Sequence, residues 1–114
     1  MRAINVSQGV TVAEEVRHAT TLWERARGLL GHSGLPAGEA LLLDPCSGIH
    51  TFGMAFPIDA LFLDRDGVVL HVVREMAPWR MSRYLFSARS VLELPAGTLR
   101  RTGTEIGDRV VFVE

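Results

Sequence analysis

Hydrophobic residues occur in short runs that are interrupted by glycine, proline or aspartate, a pattern typical of β-strands joined by tight turns. The Asp66-Gly67 pair lies between two such runs and predicts an antiparallel hairpin. Ser7-Gln8-Gly9 predicts a second hairpin turn, although residues 13–18 are also compatible with a helix. The predicted strands cover residues 3–6, 10–16, 40–43, 61–64, 68–73, 90–94 and 109–113.

One segment shows helical periodicity. Thr21 and Glu24 have the spacing of a capping box, and Gly31 supplies a C-terminal stop. Between them one face is apolar, through Leu22, Trp23, Ala26, Leu29 and Leu30. With 114 residues and neither repeat nor linker, residues 1–114 should form a single domain. The expected fold is α+β: a mainly antiparallel β barrel or strongly curved sheet of about six short strands, packed by one main helix.

The segment Pro45–Pro57, which lies between two apolar runs, brings together a cysteine, a histidine, a threonine and a methionine. It contains the only cysteine and, with Gly48, Gly53 and two prolines, should be an irregular connection. Its two phenylalanines and its isoleucine indicate that it is packed rather than disordered. A packed connection of this length in a small domain is a candidate functional segment.

Composition restricts the classes of function. Hydrophobic residues make up 47% of the chain and the net charge is −1, so bulk attraction to nucleic acid is not expected. No apolar run approaches the roughly 20 residues of a membrane span, and the N-terminus lacks a secretory signal, which favours a cytoplasmic protein unless a leader has been removed. All 12 basic residues are arginine, six of them between residues 74 and 101. The oligomeric state is not predicted.

Three chemical interpretations apply to the irregular segment. Cys46, His50 and Met54 form a soft ligand set suited to copper or, without the methionine, zinc. Alternatively, Cys46 is a nucleophile with His50 as its base, oriented by Asp44 or Asp59. In the structural interpretation, the cysteine and methionine fill the core and the histidine hydrogen-bonds a carbonyl of its own loop.

The favoured hypothesis is a ligand-binding or accessory domain, whose partner is a small molecule or a peptide. Trp79-Arg80, Arg83-Tyr84 and Arg89 alternate aromatic and guanidinium groups, which could hold a carboxylate, a phosphate or a ring. The Asp59 carboxylate, between apolar neighbours, is expected to have a structural role in pairing with Arg80. A protein–protein interaction module is the remaining alternative. The predicted pocket consists of His50, Thr51, Phe52, Met54, Trp79 and Arg80.

Several motifs in order resemble one protein family. They are Arg27-Gly-Leu-Leu-Gly31, Gly38–Leu43, Pro45-Cys46, Ile49–Met54, Phe56–Asp59, Leu61–Asp64, Pro78–Arg80 and Val91–Gly97. Together they cover most of the chain and resemble the domain of unknown function 192 family of small bacterial and archaeal proteins. The resemblance implies a compact, mainly antiparallel β fold with a small helical component, and it brings no established activity or catalytic residue.

Overall fold

The described residues form eight strands and one short helix, besides the helical residues Glu24 and Arg25. The computed structural model describes residues 1–21, 24–25 and 28–114. The elements in chain order are β1 Arg2–Asn5, β2 Val10–Ala13, β3 Glu15–Ala19, β4 Glu39–Leu43, β5 Ile58–Leu63, β6 Val69–Met76, β7 Ser90–Pro95, α1 Thr98–Thr102 and β8 Val110–Val113. No helix in these ranges is long and apolar enough to cross a membrane.

The strands belong to two open sheets. One has the order β2-β1-β8 and the other the order β3-β4-β7-β5-β6. Every pairing is antiparallel except that of β3 with β4, which is parallel. The mainly antiparallel α+β prediction is therefore confirmed. Neither sheet closes into the expected barrel in the described chain. The run predicted as one strand over residues 10–16 breaks at Glu14, and its two halves join different sheets.

The predicted hairpins are present. β1 pairs with β2 across the Ser7-Gln8-Gly9 turn, and β5 pairs with β6 across Arg65-Asp66-Gly67. Gly67 has φ +83°, and a Cβ there would lie 2.2 Å from the Val110 carbonyl oxygen. Only glycine fits this turn without displacing β8. The helical alternative for residues 13–18 is wrong, since most of this stretch lies in β3.

The capping box is also present, but the helix after it ends earlier than expected. Thr21 and Glu24 exchange two side-chain-to-backbone hydrogen bonds, each of 3.1 Å, and Glu24 and Arg25 are helical. Gly28, with φ +49°, begins a turn, so the prediction of a helix through Leu30 is wrong at its end. Residues 22, 23, 26 and 27 of the predicted helix lie outside the described residues.

The five-stranded sheet is covered on both faces. Its first face carries Leu61, Leu63 and Leu92, which pack against the three-stranded sheet and α1. Its second face carries Leu41, Phe62 and Val91. They pack against Ile49 and Met54 of the irregular segment and against Leu29 of the turn at residues 28–31. All six residues of β5 are accordingly buried. Glu93 alternates with Leu92 and Leu94 along β7, so its side chain belongs to the second face.

Candidate ligand-binding site

Two irregular segments form a layer over the second face of the large sheet. The Thr51 hydroxyl, fully buried, donates to the Ala77 carbonyl oxygen at 2.6 Å and accepts from the Arg80 amide at 2.9 Å. The Thr51 amide in turn donates to the Arg80 carbonyl, and the Trp79 amide donates to the Thr51 carbonyl. Thr51, predicted as a ligand contact, thus joins residues 45–57 to residues 77–89 through the backbone and does not line the cavity described below.

Further bonds join the same two segments. Ser82 accepts from the Ile49 amide through its hydroxyl and donates to the Ile49 carbonyl through its own amide, each at 2.9 Å. His50 and Met81 form an antiparallel bridge between the segments. Ile49, Thr51 and Met54 are buried. The prediction that this connection is irregular yet packed is therefore confirmed.

A cavity of about 260 Å³ lies between this layer and the sheet. Its walls are mostly apolar and come from β4, the turn at residues 28–31 and the irregular segment. Four of the lining side chains are polar or ionisable: Arg25, Cys46, His50 and Glu93. The apolar lining side chains are those of Leu29, Leu30, Leu43, Pro45, Ile49 and Met54.

Glu93 is the unexpected member of this set. Its side chain is buried, with 3% exposure of the residue, and its Oε1 atom has no hydrogen-bond partner among the described residues. The residues opposite it on β4 and β5 are Leu41 and Ala60, which offer no charge. Burial raises the pKa of Glu93 to about 8, so the carboxyl group is mostly protonated at neutral pH. A Cβ at Gly28 would lie 3.9 Å from Oε1, which places this carboxyl group under the turn.

Sequence reasoning did not select Glu93, although the chain carries a signal for it. The residue lies between Leu92 and Leu94 in the predicted strand 90–94, whose other residues are mostly apolar. A carboxyl group in such a strand is costly unless it is paired or serves a site. An acidic residue between two leucines of a predicted strand could therefore have been chosen on physical grounds.

Cys46 and His50 line the same cavity, and the described hydrogen bond of each joins it to a backbone group. The Cys46 thiol donates to the Gly48 carbonyl oxygen at 3.2 Å. Burial is the main cause that raises the pKa of this thiol, and the charge of Glu93 adds to it. This is the reverse of the lowered pKa that activates a nucleophilic cysteine. His50 accepts through Nδ1 from the Phe52 amide at 3.2 Å, rather than bonding a loop carbonyl through this atom as expected.

The three residues expected as metal ligands lie near one another, but with the other described residues they do not form a recognisable metal site. Cys46, His50 and Met54 do lie around one cavity. Within residues 1–21, 24–25 and 28–114, however, no three His, Cys, Asp or Glu side chains come close enough to hold a metal ion.

Aromatic rings extend from the cavity to the surface. Phe52 stacks on His50 with ring centroids 5.1 Å apart, and Trp79 lies 6.2 Å from Phe52. Trp79 is 65% exposed and has φ +64°, an uncommon conformation for a residue of its size. Phe52, Trp79 and Arg80 do not line the cavity itself. We call His50, Phe52 and Trp79 the aromatic rim.

Asp59 is structural, but its partners are not those expected. Its Oδ1 accepts from the Glu75 amide and its Oδ2 from the Leu99 amide, each at 2.8 Å. The carboxylate is fully buried and ties β5 to the end of β6 and the first turn of α1. The expected pairing with Arg80 is replaced by these two backbone bonds.

The chain is similar over nearly its whole length to archaeal and bacterial proteins. UPF0127 proteins of Thermococcus sibiricus and Pyrococcus abyssi are each 30% identical to it, over 94% and 96% of this chain and 71% and 96% of their own lengths. A crystal structure from Sinorhizobium meliloti 1021, described as a "putative transcription regulator", has a TM-score of 0.80 at 28% identity and covers 96% of this chain and 89% of its own. A protein of unknown function from Novosphingobium aromaticivorans has a TM-score of 0.78 at 20% identity, over 98% and 93%, and shares the fold. Residues 3–112 match the model of the domain of unknown function 192, "Uncharacterized ACR", and the chain belongs to that family.

Proposed function

We propose that this domain binds a small organic ligand in the cavity between the irregular segment and the large sheet. The observation that carries the proposal is the buried Glu93 carboxyl group, whose Oε1 faces no described partner beside a largely apolar space. Ligand pockets are typically apolar with a few polar groups that fix orientation. An unpaired buried polar atom costs stability, and a use in a site is one of the explanations for such an atom in a folded protein.

The size of the cavity limits the ligand. A dry apolar cavity of about 150 Å³ accommodates a benzene molecule. The present cavity, at about 260 Å³, therefore suits a compact ligand somewhat larger than a single ring. The aromatic rim supplies ring faces beside the opening, where His50 belongs both to the rim and to the cavity wall. We infer a ligand with an apolar body, one polar end directed to Glu93 and contact with His50.

The proposal is tested by thermal unfolding with a panel of compact alicyclic and aromatic compounds. A ligand at 100 times its Kd stabilises the folded state by about 2.7 kcal/mol. In a domain of this size that raises the Tm by roughly 10 °C. Met54→Trp, which fills the cavity, should remove the shift. Ile106→Ser, at an exposed residue outside the cavity, should retain it. A panel without stabilising compounds, or shifts that persist in the filled variant, would refute the pocket.

The polar contacts of the arginines argue against nucleic acid as the ligand. Arg89 pairs with Asp44 at 2.8 Å and Arg100 with Glu75 at 3.0 Å, so two of the six arginines between residues 74 and 101 have acidic partners. The net charge of −1 adds no general attraction. The description of the Sinorhizobium protein therefore does not lead us to propose DNA binding for this chain.

Self-association is a second candidate function, and one observation favours it. Trp79, Met81, Tyr84 and Phe86 are between 65% and 90% exposed and lie within eight residues of one another. Exposed apolar groups gathered in one segment are typical of contact surfaces. Sedimentation velocity on the wild type and on Phe86→Ser tests this: a dimer that dissociates in the variant supports it, and a monomeric wild type at high concentration refutes it.

A further inference from the structure

The polar end of the ligand can be assigned a chemical class from the surroundings of Glu93, in an inference that rests on the proposed pocket. We propose that the cavity selects a compact ligand bearing a protonated amine, whose N–H groups bind Glu93. The carboxyl Oε1 is buried and lacks a described partner. Once ionised it can only accept hydrogen bonds, so the cavity has to supply a donor. A charged donor forms a stronger bond to a carboxylate than a neutral donor does.

The described protein groups around this carboxyl do not donate a hydrogen bond to its Oε1 atom, so the donor has to come from the ligand. On the adjacent strands, Leu41 and Ala60 are apolar. From the irregular segment, the Cys46 thiol is committed to the Gly48 carbonyl. Arg25 lines the cavity and donates through one nitrogen to the Thr20 carbonyl oxygen, but no nearby charge of the described residues contributes to the raised pKa of Glu93, for which burial is the cause.

A metal cation suits the site less well than an amine does. Calcium takes six to eight oxygen ligands, and magnesium is usually held by carboxylates together with waters or phosphates. The walls around Glu93 are mainly apolar. An organic ammonium needs fewer protein oxygens, and its hydrocarbon body can pack against the side chains of Leu43 and Met54, which line the cavity.

Binding then displaces a proton. Free Glu93 is mostly protonated at pH 7, because burial raises its pKa to about 8. The incoming ammonium keeps its own protons, the carboxyl group loses one to the solvent, and a carboxylate–ammonium pair remains. The overall reaction releases up to one proton for each ligand bound. By linkage, affinity rises about tenfold for each unit by which the pH increases below this pKa, and it levels off above it.

The experiment uses matched amine and alcohol pairs: butylamine with butanol, cyclohexylamine with cyclohexanol, and benzylamine with benzyl alcohol. Titration calorimetry from about pH 6 to pH 8.5, in buffers of different ionisation enthalpy, measures both affinity and proton release; alkylamines remain largely protonated over this window. We expect at least one amine to bind more tightly than its alcohol, with the tenfold slope and proton release. Glu93→Gln should abolish the slope and the preference for the amine.

The outcomes separate this inference from the proposed pocket. If alcohols bind as well as amines and neither affinity depends on pH, the amine assignment fails while the pocket stands. If no pair binds, both fail. His50 lines the same cavity, so the pH series is repeated in His50→Gln, which must retain the slope whatever its affinity. Proton release is measured on the wild type and does not depend on a variant that folds.

Discussion

The buried carboxyl group of Glu93 should make the free protein less stable as the pH rises. Burial raises its pKa from 4.5 to about 8 in the folded state. Between these two values the folded chain keeps a proton that the unfolded chain has released, so the free energy of unfolding falls with increasing pH. The contribution is fully present below pH 4.5 and is lost as the pH rises through about 8.

The size of this effect follows from the shift. Each unit of pKa difference corresponds to about 1.4 kcal/mol, so the full shift is worth about 5 kcal/mol. Between pH 5 and pH 8 the expected loss is about 3 kcal/mol. With an m-value of about 1 to 3 kcal/mol per molar urea, the unfolding midpoint should decrease by roughly 1 to 3 M over this range.

Urea unfolding of the wild type and of Glu93→Gln at several pH values isolates the contribution. The amide introduced by this substitution cannot ionise, so the variant should gain about 3 kcal/mol relative to the wild type as the pH rises from 5 to 8. Glu39→Gln changes an exposed carboxylate and is the matched control, which should follow the wild type. If Glu93→Gln also follows the wild type, or loses stability relative to it toward pH 8, the assigned protonation of Glu93 is wrong.

Four further predictions concern single side chains. Asp59→Asn removes one of two acceptor oxygens and should lower the free energy of unfolding by about 1.5–3 kcal/mol; a loss below about 0.5 kcal/mol in chemical denaturation would contradict this. Gly67→Ala should cost about 1–3 kcal/mol more than Gly9→Ala, which has a similar φ but no neighbour within 4 Å, and equal costs would refute the close approach. Thr51→Val leaves buried backbone groups unpaired and should cost about 1–3 kcal/mol, whereas Thr51→Ser keeps the hydroxyl and should cost less. Iodoacetamide should alkylate Cys46 more slowly than a small free thiol between about pH 6 and 9, and faster alkylation would exclude the neutral, buried thiol.

The sequence predicted those parts of the fold that local chemistry determines. The hairpins follow from turn residues beside them, such as Asp66 and Gly67, and the capping box at Thr21 follows from spacing alone. Closure of the sheet could not be predicted, because it depends on which distant strands pair. The parallel contact of β3 with β4 requires the chain to return from another part of the domain, and no local pattern specifies this.

Only part of the candidate site could be predicted, because the rest also depends on which distant segments meet in the fold. The irregular segment was identified from its composition, and His50 and Met54 do lie at the cavity. Glu93 was missed because its importance depends on which face of β7 is covered and by what. Trp79 is close to the site only through its contact with Phe52, a neighbour that lies 27 positions away in sequence.

The two cores on opposite faces of the five-stranded sheet separate the scaffold of this protein from its candidate site. The floor of the cavity is a sheet whose reverse side is sealed by the three-stranded sheet, whereas its roof consists of the turn at residues 28–31 and the irregular segment, which Thr51 joins to residues 77–89. Local opening can therefore lift the roof without breaking the core beneath the floor. A bound molecule could then be exchanged at a free-energy cost well below that of global unfolding.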